Sequence, residues 1–136
     1  MEDNCIFCKI ANGEIPSATV YEDETFRAIL DLSPAAKGHT LILPKAHAAN
    51  LFELPDETAA KALMLAKRLG ALLKEGLHAD GLNVVQNNGE AAGQTVLHFH
   101  MHLIPRYKDD HAGILWEPGK TTPEEMEEIK KLVNED

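Results

Sequence analysis

Apolar and polar residues change period several times along the chain, and each change marks an element. Ile6, Phe7 and Ile10 fall on one face of a short helical turn, which Asn12-Gly13 ends before Ile15-Pro16 opens an extended stretch. Two β-favouring runs follow, at 18–21 and 26–30, separated by the acidic cluster Glu22-Asp23-Glu24, which reads as a hairpin turn. Asp31 stands at the end of the second run. The spacing predicts a third strand over 39–43, opened by His39 and ended by Pro44. From Asp56, a good N-cap residue, a long helix is expected to about Glu75. Ala59, Leu63, Ala66, Gly70, Leu73 and Leu77 give its apolar face and Gly76 its stop. A fourth strand over 82–86 and a fifth over about 97–104 flank the polar, glycine-bearing loop 87–95, and read as an antiparallel pair. Thr122-Pro123-Glu124-Glu125 combines a capping box with proline at the first helical position, ahead of the apolar face Met126, Ile129, Leu132 and Val133. This order predicts an α+β fold in one domain over residues 1–136, in which the long helix covers a sheet.

Composition narrows the function classes. A chain of 136 residues, 44% of them hydrophobic, can bury its own core without disulfide staples. A formal net charge of −9 with no basic cluster argues against nucleic acid and anionic membranes as partners. The absence of a long apolar run, and the acidic stretch Met1-Glu2-Asp3-Asn4 where a leader would be basic, set the expectation of a cytoplasmic protein that does not enter a membrane. An acidic protein can still bind a small phosphate ester, through backbone N–H groups, imidazoles and hydroxyls.

The strongest chemical signal is His98-Phe99-His100-Met101-His102. Side chains alternate across a strand, so the three histidines share one face while Phe99, Met101 and Leu103 share the other, which can dock on the long helix. Seven histidines in 136 residues make three at strict period two improbable by chance. One metal held by all three is disfavoured, because the outer α-carbons of such a strand lie ~13 Å apart. Neighbouring histidines could share a metal, so at least one is left for other work. A row of imidazoles suits transfer of a charged group, with a nucleophile and proton handling beside it.

At these residues the chain resembles the histidine-triad family. The run 98–104, histidine alternating with apolar residues and then two apolar positions, fits that family's signature. The likeness extends from Cys5-Ile6-Phe7-Cys8-Lys9-Ile10 through Asp31-Leu32-Ser33-Pro34, Gly38-His39 and Gly93-Gln94-Thr95, covering about residues 5–107 and leaving 108–136 as an extension. It is most similar to the bacterial and Hint-type branch. The resemblance implies a homodimer with a five-stranded antiparallel sheet per subunit, and hydrolysis or transfer of nucleoside monophosphate groups through a covalent nucleotidyl-histidine. It implies His100 as nucleophile, with His102, His39 and His98 as flanking groups that orient it and handle protons. It further implies Asp31 as acceptor for ribose hydroxyls, Asn87 near the scissile phosphate, and Gly93, Gln94 and Thr95 as a phosphate cradle. Relatives often carry serine where this chain has Thr95. Ile6, Phe7, Ile10, Ile29 and Leu32 correspond to an apolar slot for a purine base; taken alone they would read as core.

Cys5 and Cys8 form a lone Cys-x-x-Cys, which two further ligands would have to complete to a tetrahedral zinc site. His47 and His98 are the candidates, a pairing used by zinc-bearing relatives in this family and in galactose-1-phosphate uridylyltransferase. The alternative is two reduced thiols; a thioredoxin-like pair lacks the strand that would precede it. The resulting expectation is a purine nucleoside phosphoramidase-like hydrolase with structural zinc and no metal in its chemistry. The rivals are a dinucleoside polyphosphate hydrolase and a nucleotide-binding regulatory or scaffolding dimer. Family relatives also place residues after the triad near the active site across the dimer, which marks Trp116.

Overall fold

The computed structural model describes residues 4–134; the acidic residues 1–3 lie outside them. Helix α1 (Ile6–Ala11) is followed by strands β1 (Thr19–Glu22), β2 (Phe26–Leu30) and β3 (Thr40–Pro44), helix α2 (Asp56–Gly76), strands β4 (Gly81–Val85) and β5 (Met101–Arg106), and helix α3 (Pro123–Val133). The strands form one sheet in the order β1-β2-β3-β5-β4, and every neighbouring pair is antiparallel.

The two faces of the sheet are covered differently, and this places the histidines. Residues paired across antiparallel strands share a face. Met101 pairs with Ile42 and Leu103 with Thr40, and this face packs on α2 through Ala62, Leu65, Ala66 and Leu69, together with Phe26 and Phe99. His102 pairs with Leu41, and on that opposite face Leu41, Leu43 and Ile29 meet Ala11, Phe7 and Ile10 of α1. A long helix therefore seals one side of the histidine strand, and a helix of six residues covers only part of the other.

Several details depart from the sequence-based expectation. The long helix turns Leu63 outward, 60% exposed, and buries Ala62, Leu65, Ala66, Leu69 and Gly70 instead. Gly70 is there because a Cβ would stand 2.6 Å from Leu82. Pro55, which has no polar side chain, is the N-cap, and Asp56 is the first helical residue. Gly76 remains helical; the positive φ that ends the helix belongs to His78, whose N–H and that of Ala79 bond the Glu75 and Lys74 carbonyls. Pro44 belongs to β3. It pairs with Phe26, while β5 pairs with β3 only as far as Ile42, so the missing N–H costs no ladder bond. The fourth strand is shifted one residue toward the N-terminus of the expected span.

The fifth strand begins at Met101, not near Leu97, because its ladder with β3 stops at Met101 and that with β4 stops at His102. His98 and His100 lie in the irregular backbone that leads in, where the Phe99 N–H bonds the Ala48 carbonyl instead. In α3 the expected cap is present, with the Glu125 N–H donating to Thr122 Oγ1, but Met126, Ile129, Leu132 and Val133 remain exposed.

Candidate active site and metal-ligand cluster

His98, His100, His102 and His39 gather on the α1 face, with exposures of 0%, 7% and 6% for His98, His100 and His39. The His100 and His102 rings stand 5.0 Å apart, and Phe7 meets His100 edge-on at 5.0 Å. Burial disfavours imidazolium. Desolvation, then repulsion from His100 and His39, lowers the His102 pKa to about 4, and desolvation lowers that of His39 against the pull of Asp31. Both are neutral near pH 7, so each has one N–H and one bare nitrogen.

The hydrogen bonds decide which nitrogen is which. His100 Nδ1 lies 2.7 Å from the His98 carbonyl, which can only accept, so Nδ1 carries a hydrogen and Nε2 is the nitrogen left bare in the neutral ring. His98 Nε2 lies 2.8 Å from the Pro44 carbonyl, which leaves Nδ1 as its bare atom. That atom sits 3.3 Å from Cys5 Sγ and 3.4 Å from Cys8 Sγ, and His47 Nδ1 is 3.3 Å from Cys8 Sγ. Sulfur and nitrogen on a tetrahedral zinc at ordinary bond lengths are ~3.5 Å apart. Cys5, Cys8, His47 and His98 thus form a four-donor cluster whose spacing, and whose His98 tautomer, are compatible with zinc.

Asp31, His39 and His102 also bring three donor atoms together. This group does not suit a metal. The Ala35 N–H donates to His39 Nδ1 at 3.0 Å, so the nitrogen facing His102, His39 Nε2, is the protonated one and donates to His102 Nδ1 at 2.9 Å. Asp31 Oδ1 accepts the Ser33 N–H, and Oδ2 lies 3.7 Å from His39 Nε2.

The remaining expected residues divide. Gly93, with φ +100°, ends a short turn over Glu90–Ala92, and an added Cβ would stand 3.6 Å from the Asn87 amide; this places Asn87 against the loop. Thr95 is exposed beside it. Gln94 is 4% exposed and fully engaged: Oε1 accepts the Gly89 N–H, and Nε2 donates to the carbonyls of Ala49 and Val96. Its side chain braces the loop from inside. Phe7, Ile10 and Ile29 pack in one cluster, whereas Ile6 is half exposed and Leu32 is 97% exposed, so five apolar residues do not form one slot in the single chain. Sequence reasoning missed the backbone groups that hold the histidines, the Pro44 and His98 carbonyls and the Ala35 amide, because no residue type encodes them.

Residues 12–109 match the HIT domain model, which covers most of the chain, and the protein belongs to that family. It is 43% identical over 129 residues to adenosine 5'-monophosphoramidase HNT1 of Saccharomyces cerevisiae, covering 93% of this chain and 78% of that protein. A solved HIT family structure from Bacillus subtilis superposes with a TM-score of 0.89 at 44% identity, covering 96% and 95% of the two chains. A Zn-bound histidine triad family protein from Mycobacterium smegmatis does so with a TM-score of 0.77 at 43% identity, covering 85% and 84%. The five-stranded antiparallel sheet with its long covering helix and C-terminal helix is the HIT-like fold expected from the sequence. Among the described residues no helix is long and apolar enough to cross a membrane.

Proposed function

We propose that the protein is a nucleotidyl hydrolase that cleaves purine nucleoside monophosphate phosphoramidates, or related esters, through a nucleotide covalently held on His100. The observation that carries this reading is the hydrogen bond from His100 Nδ1 to the His98 carbonyl, which fixes the ring and makes Nε2 the bare nitrogen of its neutral form. Nε2 attacks phosphorus and the P–N bond to the amine breaks, the amine taking up a proton from solvent as it leaves. Water then attacks the same phosphorus, the P–Nε2 bond breaks, and nucleoside monophosphate departs as the proton lost by the water goes back to solvent. One difficult displacement becomes two easier ones. Asn87, Thr95 and the backbone around Gly93 offer the uncharged donors that a protein of net charge −9 needs to hold a phosphate. Phe7, Ile10 and Ile29 offer an apolar wall for the base, and Asp31 a carboxylate for ribose hydroxyls.

Cys5, Cys8, His47 and His98 would hold one zinc, which would supply rigidity and take no part in bond making. The reading includes a homodimer in the cytoplasm. Leu63, Met64 and Val84 form an exposed apolar strip along α2 and the edge strand β4, α3 buries none of its apolar face, and Trp116 is 84% exposed. A second copy would cover these surfaces and bring Trp116 to the site. Turnover of adenosine and guanosine phosphoramidates against diadenosine polyphosphates tests the reading: the phosphoramidates should be cleaved fastest. Faster cleavage of the polyphosphates would make the protein a dinucleoside polyphosphate hydrolase, and no turnover of either would leave a binding protein.

A further inference from the structure

Two histidines that meet a phosphoryl group as bare nitrogens would repel its oxygens, and one bare nitrogen beside one N–H would not. Which of these a site presents depends on tautomers, and in this chain a single backbone amide outside the histidine row determines one of them. We propose that the Ala35 N–H sets the tautomers of the His39–His102 pair, so that His102 faces the reacting group as an Nε2–H donor while His100 faces it as a nucleophile. The inference rests on the nucleotidyl-transfer reading for its purpose, but not for its chemistry.

An amide N–H can only donate, so at 3.0 Å from Ala35 N, His39 Nδ1 must be the bare nitrogen of a neutral ring. Its hydrogen is then on Nε2. That hydrogen points at His102 Nδ1, 2.9 Å away, which must accept, so the hydrogen of His102 is on Nε2 at the other side of the ring. The opposite assignment would set N–H against N–H at the Ala35 contact, so that contact decides the direction of the His39–His102 hydrogen bond. Asp31 does not undo it, since its nearer oxygen is 3.7 Å from His39 Nε2, beyond hydrogen-bonding distance. Asp31 instead holds the loop that carries Ala35, accepting the Ser33 N–H at 2.8 Å. The Tyr107 hydroxyl donates to the Lys37 carbonyl at 2.8 Å and tethers the same loop to the residue that follows β5. Gly38 lets the loop turn back into β3: its φ is +89°, and a Cβ would collide with Leu77.

His102 Nε2 has no partner within the chain among the described residues, although the ring is largely buried; it is the donor left for a ligand. No proton has to leave His102 for this to work. A hydrogen bond that strengthens as negative charge grows on a phosphoryl oxygen or on the departing atom stabilises the transition state over the ground state. Ala35 is thus a positioning residue that acts through His39, and its exposed methyl group has no part in the effect.

Long-range 1H–15N correlation spectra of the 15N-labelled full chain read the tautomers directly at neutral pH. His39 and His102 should both show the Nε2–H pattern and His100 the Nδ1–H pattern. His39→Gln, whose amide can still donate to His102 Nδ1, should keep His102 in the Nε2–H form and keep kcat within about tenfold of wild type. His39→Glu, whose carboxylate can only accept, should drive His102 to Nδ1–H and lower kcat by about a hundredfold or more with little change in KM, the scale of losing one preorganised donor. An Nδ1–H pattern for His102 in the wild-type protein, or a His102 tautomer unmoved by His39→Glu, overturns the proposal whatever the turnover. The expected spectra in a protein that cleaves no nucleoside phosphoramidate would leave the tautomer assignment standing and remove the functional reading.

Discussion

Replacing Gln94 by leucine separates a loop brace from a phosphate ligand. The side chain is 4% exposed, and three backbone groups depend on it: the Gly89 N–H and the Ala49 and Val96 carbonyls. Leucine has a similar volume, so packing changes little, but all three groups lose their partner. A buried unsatisfied group costs ~1–3 kcal/mol, and with partial relaxation to water the sum should be about 3 kcal/mol. For a chain of this length that corresponds to a fall in Tm of roughly 10 °C. The Ala49 carbonyl lies two residues from His47, so the segment carrying His47 should loosen with the loop 87–95. The assay is thermal unfolding together with steady-state kinetics on an adenosine phosphoramidate, with KM expected to rise as the loop loses order. A change in Tm under about 2 °C with a large loss of kcat would refute the reasoning and return Gln94 to the reacting phosphate.

Three further outcomes are expected. Elemental analysis of protein purified without chelator should give about one zinc per chain, and Cys5→Ser with Cys8→Ser should lose it along with part of the stability; metal-free wild-type protein of undiminished stability would remove the zinc assignment. Light scattering should report twice the 15.0 kDa chain mass, and a monomer at micromolar concentration would end any role for Trp116 across the interface. His102, with a folded pKa of about 4 against an ordinary value near 6.5, contributes stability that is complete above about pH 7 and is lost as pH falls through the unfolded value toward the folded one. The loss between pH 7 and 5 should be about 2 kcal/mol in denaturant unfolding, and His102→Gln should remove that part of the slope.

How much of this could be read in advance follows from which interactions residue types encode. The five strands, the long helix and the capped terminal helix were legible, because period-two and period-three-to-four patterns and the Thr122-Pro123 cap are local signals. The separation of Phe99, Met101 and Leu103 from the histidines was legible for the same reason. The start of β5 was not, since a strand ends where its neighbours stop pairing, and β3 and β4 both stop short of His100. Leu63 was taken for core because its spacing fits a face, although the buried stripe of α2 is carried largely by small residues, Ala62, Ala66 and Gly70. At the site, the four candidate donors Cys5, Cys8, His47 and His98, the two histidines named through the family resemblance, are brought together by the structure. Gln94 was placed on a phosphate through its neighbours in the motif, whereas its side chain turns inward to backbone carbonyls that no residue type announces. Leu32 stands apart from Phe7, Ile10 and Ile29 for a related reason: sequence proximity to Asp31 does not determine which way a loop side chain points.

The measurement that bears most directly on the account is the identity of the covalent intermediate. Its centre is His100 Nε2, the bare nitrogen of the neutral ring that the hydrogen bond from Nδ1 to the His98 carbonyl holds in place. Rapid alkaline quench of wild-type protein with labelled adenosine phosphoramidate, followed by peptide mapping, should find an acid-labile, base-stable nucleotidyl group on His100. His100→Ala should show neither adduct nor turnover, while binding adenosine monophosphate within about tenfold of wild type, a difference of ~1.4 kcal/mol or less. An adduct mapped to His98 or His102, or turnover that survives in His100→Ala, would contradict the account.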